Sequence, residues 1–217
     1  ESAGAYSVVQ LLLSALSKGL FHKAIAQSPY IKPLPGLKTS QFGKPAAEQM
    51  GVQFAKSLGV ETLAELRALS AETLIKAVEE IEDVYVRIPS PVVDNYVITD
   101  QLFHLIEQGK QHDVPVLMGF NSHEGFHMSL YAKWKESLPT SPEDYIEKVQ
   151  ARYGDLTDEY LNIYPATDLD ASIFGPYRDG FFGWATQKYI RSAAQHNSSK
   201  AYLYYYDHDW AGDTNLS

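Results

Sequence analysis

The chain has 217 residues, 45% hydrophobic and 21% charged, the profile of an ordinary globular domain of about 100–200 residues with a real core rather than a disordered chain. Its 27 acidic side chains against 18 basic ones leave a formal net charge of −9, which argues against nucleic acid as a partner because phosphate binding rests on clustered Lys and Arg. Cysteine is absent, excluding disulfides and thiolate metal sites, and no apolar run approaches the roughly 18 residues of a membrane span.

Taken in chain order, small residues (Ala3, Gly4, Ala5) lead into Val8, Val9, Leu11, Leu12, Leu13 and Leu16, with Gly19 as a stop. Apolar residues on nearly all sides predict a buried helix. LFHKAIAQS reads as a short strand ended by Pro29, and the Pro- and Gly-rich stretch 29–44 as a loop. From 45 to 80 the spacing turns helical through Met50, Phe54, Leu58, Leu66 and Val78. SPVVDNYVI is expected to be extended, and TDQLFHLIEQG to be a helix capped by its Thr or Asp and closed by Gly109. VPVLMGFN, 114–121, has the length and composition of a buried strand. Ser141-Pro142-Glu143-Asp144 predicts a capping box with proline at the first helical position. A longer helix is expected over about 176–196, and tyrosine-rich KAYLYYYDHD as a final strand.

Strands alternating with helices predict an α/β fold with a mostly parallel sheet covered on both faces. Residues 1–217 show no repeat or composition break and read as one unit. Three strands are too few to complete such a sheet, since its edges are normally paired or covered, so further strands are expected before Glu1.

The opening Glu1-Ser2-Ala3-Gly4, followed by a buried helix, matches the second half of a G-x-S-x-G nucleophile elbow. In that turn a strand swings into a helix with serine at the tip, and the next N–H points into an oxyanion hole. An ordinary helix-capping serine is the competing reading. Gly119-Phe120-Asn121-Ser122-His123-Glu124-Gly125 closes the second strand. Catalytic groups of open α/β sheets stand beyond the carboxyl ends of strands, so Glu124 is a candidate to orient a histidine, against the alternative of a solvated loop glutamate. The order Ser, then Glu, agrees with the hydrolase order Ser…Asp/Glu…His.

With these residues in view, the whole chain resembles the carboxylesterase type-B family, the cholinesterase-like α/β-hydrolases. ESAGAYSV is similar to that family's G-E-S-A-G-A-x-S-V stretch, and LLLSALSKGLFHKAIAQS to the segment that follows it. SPVVDN resembles P-V-x-D-G with Asn95 in place of Gly, VPVLMGFNSHEG the stretch ending in the catalytic acid, and AYLYYYDH the late strand before the histidine loop. The matches run in order from residue 1 to about 209.

The resemblance implies a partial α/β-hydrolase fold, with the first strands and the histidine loop outside residues 1–217. It implies Ser2 as nucleophile, Glu124 as the acid of a Ser-Glu-His triad and Ala3 N–H as an oxyanion donor, with Glu1 in structural support. Phe126, His127, Met128 and Tyr85, with its neighbours to Pro89, fall where the family walls its acyl pocket. No metal or cofactor is implied, and the partner is a small-molecule ester. Two departures stand out. The family's H-G-x-E-type histidine loop has no counterpart here, and His127, His196 and His208 each fit the order poorly, so the 217 residues alone are expected to be inactive. Pro29 also replaces a common Gly beside Ser28, which lies near the active site in the family. A cholinesterase-like adhesion protein that has lost the triad, and a same-fold amidase or lactonase, are the alternatives. The retained Ser2 and Glu124 count against the first. The lack of cysteine leans toward a microbial source, with cytoplasmic or secreted location open. Asn197-Ser-Ser and Asn215-Leu-Ser match the glycosylation pattern, which matters only in a eukaryotic secretory host.

Overall fold

A computed structural model describes residues 1–81, 90–125 and 138–208. Helix α1 (Ser2–Leu13) leads through a 3-10 turn to strand β1 (Ala24–Gln27). Three short helices follow, α2 (Ala47–Ser57), α3 (Leu63–Ala68) and α4 (Ala71–Glu79), then α5 (Leu102–Glu107) and strand β2 (Val116–Asn121). After α6 (Pro142–Tyr153) and α7 (Thr157–Ile163), one continuous helical stretch comprises α8 (Leu169–Tyr177), a π-helical segment (Arg178–Gly183) and α9 (Trp184–His196), before strand β3 (Ala201–Tyr206).

The strands pair in parallel in the order β1-β2-β3, with Ala24 opposite Val116 and Val116 opposite Ala201. Helices α1, α5 and α9 pack together on one face, where Leu12, Ile106, Met118, Tyr189 and Ala193 are 1% exposed or less. At about 25 cal/mol per Å² of apolar surface removed from water, this core is the main source of the fold's stability. The expected covering of both faces is not found among the described residues. Ile25, Leu117 and Tyr202 stand in register on the other face and are 61%, 37% and 53% exposed. The physical reason lies in the strand order: neighbours added in sequence by crossovers of one hand bring their helices to the same side.

Other expectations meet local corrections. Helix α1 is one-sided, with Ala5, Tyr6, Val9, Leu12 and Leu13 buried and Leu11 49% exposed. Helices α2 to α4 form as their spacing predicts, but bury no residue completely. Gln101, rather than Thr or Asp, is the N-cap of α5. Its buried amide exchanges two hydrogen bonds with the Leu34 backbone, 2.9 and 2.8 Å, so this residue ties the 29–44 loop to the core. SPVVDNYVI contributes only a bridge from Val93 to Gly36 before Asp94 Oδ1 accepts the N–H groups of Tyr96, Val97 and Ile98 and turns the chain. Asn95 has φ 60°, the left-handed conformation that explains Asn where Gly is common. Ser141 caps α6 through Asp144 N–H, while Asp144 returns its bond to Thr140 rather than to Ser141. Asn197, the first glycosylation match, donates its amide to His112 O at 3.0 Å.

Candidate active site

Parallel strands put their carboxyl ends on one edge, and helix α1 runs back along β1 so that its N-terminus returns to that edge. Ser2 opens α1 with φ 49°, a conformation that costs a non-glycine residue about 1–3 kcal/mol. This strained entry into a helix is the backbone signature of a serine held at the tip of a turn. Glu1 O accepts from Gly4 and Ala5, 2.9 and 3.2 Å, as the helix starts. The N–H of Ala3 lies in the first turn, where helix donors have no intrahelical acceptor. A Cβ at Gly4 would meet nothing within 4 Å, so no described residue demands glycine there.

Glu124 sits in the turn just past β2. Its Oε1 accepts from Ser28 Oγ, from Asn121 N at 3.2 Å and from Asn121 Nδ2 at 2.9 Å. Ser28 is 2% exposed, has φ 51°, and anchors its own N–H on Gly119 O at 2.7 Å. Three donors on one oxygen hold the carboxylate in one orientation. The substitution of Pro29 therefore leaves Ser28 seated under the acid.

Aromatic rings close the turn. Gly125, φ 90°, lies against Tyr177, and a Cβ there would come 2.5 Å from the ring. Tyr204 covers Gly119, where a Cβ would come 2.3 Å from its ring. Burial, then the negative charge of Glu124, then Tyr30 raise the Tyr177 phenol above its ordinary value. Burial, then Glu124, then Glu1 do the same to Tyr204. The side chains of Ser2 and Glu124 share no hydrogen bond with each other.

No described histidine hydrogen bonds to Glu124 or Ser2. His196 ends α9 at the opposite edge of the sheet, with Nδ1 3.0 Å from Ser192 O. His208 follows β3 on the correct edge, its ring 6.2 Å from that of Tyr206. Phe126, His127, Met128 and Tyr85 lie outside the described residues. Among the described residues no cluster of His, Asp and Glu is placed to hold a metal ion, and no helix is long and apolar enough to cross a membrane.

Sequence reasoning did not find Asn121, Tyr177 or Tyr204, nor Arg178, whose Nη1 reaches Ser122 O at 3.4 Å. The available signal was the pair of glycines flanking Phe120 to Glu124, since glycine in and beside a strand marks close approach by another group.

The sequence pattern of the Carboxylesterase family matches residues 1–215. The chain belongs to the carboxylesterase family. Among individual proteins, it is 29% identical over 222 residues to "Crystal protein" of Dictyostelium discoideum, covering 95% of this chain and 38% of that protein. It is also 29% identical over 221 residues to Carboxylesterase 5A of Ovis aries, covering 95% and 55%. The chain therefore spans about two-fifths to just over half the length of these relatives. The solved Geobacillus stearothermophilus carboxylesterase EST55 superposes with a TM-score of 0.73 at 20% identity, over 96% of this chain and 43% of that one. A PNB esterase does so with 0.66 at 23%, over 98% and 43%. The three parallel strands and their flanking helices are thus consistent with a partial α/β-hydrolase fold.

Proposed function

We propose that the protein is a serine carboxylesterase in which Ser2 is the nucleophile, Glu124 orients a histidine and Ala3 N–H is one oxyanion donor. The observation that carries this reading is the left-handed Ser2 at the start of α1, on the same sheet edge as the turn that clamps Glu124 through one oxygen. Family membership supports it independently.

In the proposed reaction Ser2 Oγ attacks the ester carbonyl carbon while the histidine takes the hydroxyl proton, and charge collects on the carbonyl oxygen next to Ala3 N–H. The C–O bond to the alcohol breaks, and the histidine returns the proton to the leaving oxygen. Water then attacks the acyl-Ser2 ester by the same proton path, releasing a carboxylic acid and the free serine. Glu124 stays ionised throughout, its Oε2 facing the imidazolium and its Oε1 held by Ser28 and Asn121, so that the ring need not search for its orientation. No step calls for a metal or organic cofactor. The substrate is a small carboxylic ester, and Phe126, His127, Met128 and Tyr85 are proposed to shape its acyl pocket.

Intact-mass labelling of the full-length protein with a fluorophosphonate tests this. A single adduct is expected that vanishes in Ser2→Ala and forms more slowly in Glu124→Gln. No adduct on a well-folded protein would sink the reading and favour a binding role.

A further inference from the structure

Four rings form one stacked column across the site. Tyr6 stacks on Tyr30 with centroids 4.6 Å apart and planes within 16°, Tyr30 on Phe181 at 4.6 Å and 21°, and Phe181 on Tyr177 at 5.1 Å and 17°. The ends of the column are informative. Tyr6 lies four residues beyond Ser2, on the face of α1 one turn below it, and Tyr177 abuts Gly125, the neighbour of Glu124. In the middle, Tyr30 follows Ser28 by two residues, and Ser28 itself holds Glu124.

The column's central ring lies in the π-helical segment. Within it Phe181 joins the stack while Phe182, 4% exposed, meets Tyr30, Tyr177 and Phe181 edge-on at 6.5, 5.7 and 5.0 Å. Such π insertions are rare and concentrate at functional sites. Pro176 supplies a local cause, since it lacks the N–H that would continue the α ladder. The Tyr6 hydroxyl is buried with no hydrogen-bond partner among the described residues, so at that end the ring carries the contact.

We propose that this column is a positioning device that sets helix α1, with Ser2, against the turn carrying Glu124, and that Phe181 is its central positioning residue. The proposal rests on the hydrolase reading above. Phe181 touches none of the candidate reacting groups; it acts by fixing the spacing between two elements that share no hydrogen bond across Ser2 and Glu124. A shift of about 1 Å between such groups is enough to cost about a hundredfold in rate.

The test compares the full-length wild type with Phe181→Leu, Phe181→Ala, Phe181→Tyr and Tyr6→Phe on a p-nitrophenyl ester, alongside fluorophosphonate labelling and thermal melting. Phe181→Leu keeps an apolar side chain of similar bulk and removes the stack. It is expected to lower kcat about tenfold or more with KM within about twofold. The acid limb of its kcat/KM profile is expected to move to lower pH, because an imidazolium less well faced by Glu124 loses its proton more readily. Phe181→Ala is expected to behave likewise, while the ring-preserving Phe181→Tyr and Tyr6→Phe keep wild-type kcat and pH profile. A folded Phe181→Leu with wild-type kcat and an unmoved acid limb overturns the column, as does an equal loss in Phe181→Tyr. A wild type that takes no label overturns the hydrolase reading instead.

Discussion

Ser28 carries more of the site than its place at the end of a short strand suggests. Its hydroxyl is one of three donors on Glu124 Oε1, and its backbone is held left-handed by the bond to Gly119. A hydrogen bond to a charged group contributes about 1.5–3 kcal/mol, so Ser28→Ala is expected to lower kcat by about tenfold to a hundredfold while leaving KM nearly unchanged. Steady-state kinetics on the full-length protein check this, and an unchanged kcat would mean that Asn121 alone holds the acid. Gly125 is the second sensitive residue. With φ 90° and Tyr177 only 2.5 Å from where a Cβ would stand, Gly125→Ala combines backbone strain with overpacking. A loss of about 1–3 kcal/mol in denaturant titration is expected, together with reduced activity as the turn moves. At this scale the sequence was half legible. Ser2 and Glu124 stood out because their neighbours form recognisable runs, whereas Tyr177 and Tyr204 reach the turn from 52 or more residues away in sequence, and no local pattern announces a ring that arrives through space.

At the scale of elements, the strands were readable where composition dominates. AIAQ, VLMGFN and AYLYYY all lie within the stretches that composition marked. Two element-level features were not readable. The α5 cap is Gln101 because a buried amide can satisfy both Leu34 backbone groups at once, a tertiary demand that overrides the usual preference for Thr or Asp at that position. The expected helix over 176–196 is helical throughout but changes pitch at Arg178, since hydrophobic periodicity marks a helix without revealing a local π turn. Arg178 then grips Asp179 through two bonds of 2.7 and 2.9 Å, and Tyr164 adds a third at 2.9 Å. Burial alone would raise the Asp179 carboxyl; the bonds from Arg178 and Tyr164 outweigh it and hold it below its ordinary value. Stacked pairs add about 0.5–1.5 kcal/mol each beyond the area they bury, so the column and the Tyr164 bond to Asp179 both tie the π segment to neighbouring elements.

Across the whole molecule, the two edges of the sheet have different tasks. The carboxyl edge gathers the candidate chemistry. The amino edge is tied by Asp113, just before β2, which accepts from Ser198 Oγ at 2.6 Å, Ser199 N at 2.8 Å and Ser198 N at 3.2 Å, just before β3. These bonds, led by the Ser198 hydroxyl, lower the Asp113 pKa to about 2. A depressed folded pKa contributes stability that is fully present above the ordinary aspartate value of about 3.9 and is lost as pH falls through about 2. The melting temperature is accordingly expected to fall more steeply between about pH 4 and pH 2 for the wild type than for Asp113→Asn. Parallel melting curves for the two proteins across that interval would show that Asp113 does not tie the edge.

The face of the sheet that no described element covers has a practical consequence. Ile25, Leu117 and Tyr202 lie side by side across three strands, and more than a third of each is open to water. A flat stripe of branched and aromatic side chains captures hydrophobic dyes and neighbouring chains alike. Residues 1–217 produced as a separate polypeptide are therefore expected to enhance the fluorescence of anilinonaphthalene sulfonate and to scatter more light as concentration rises. Leu117→Lys, which sets a charge at the centre of that stripe, should quiet both signals while leaving the packed face of the sheet intact.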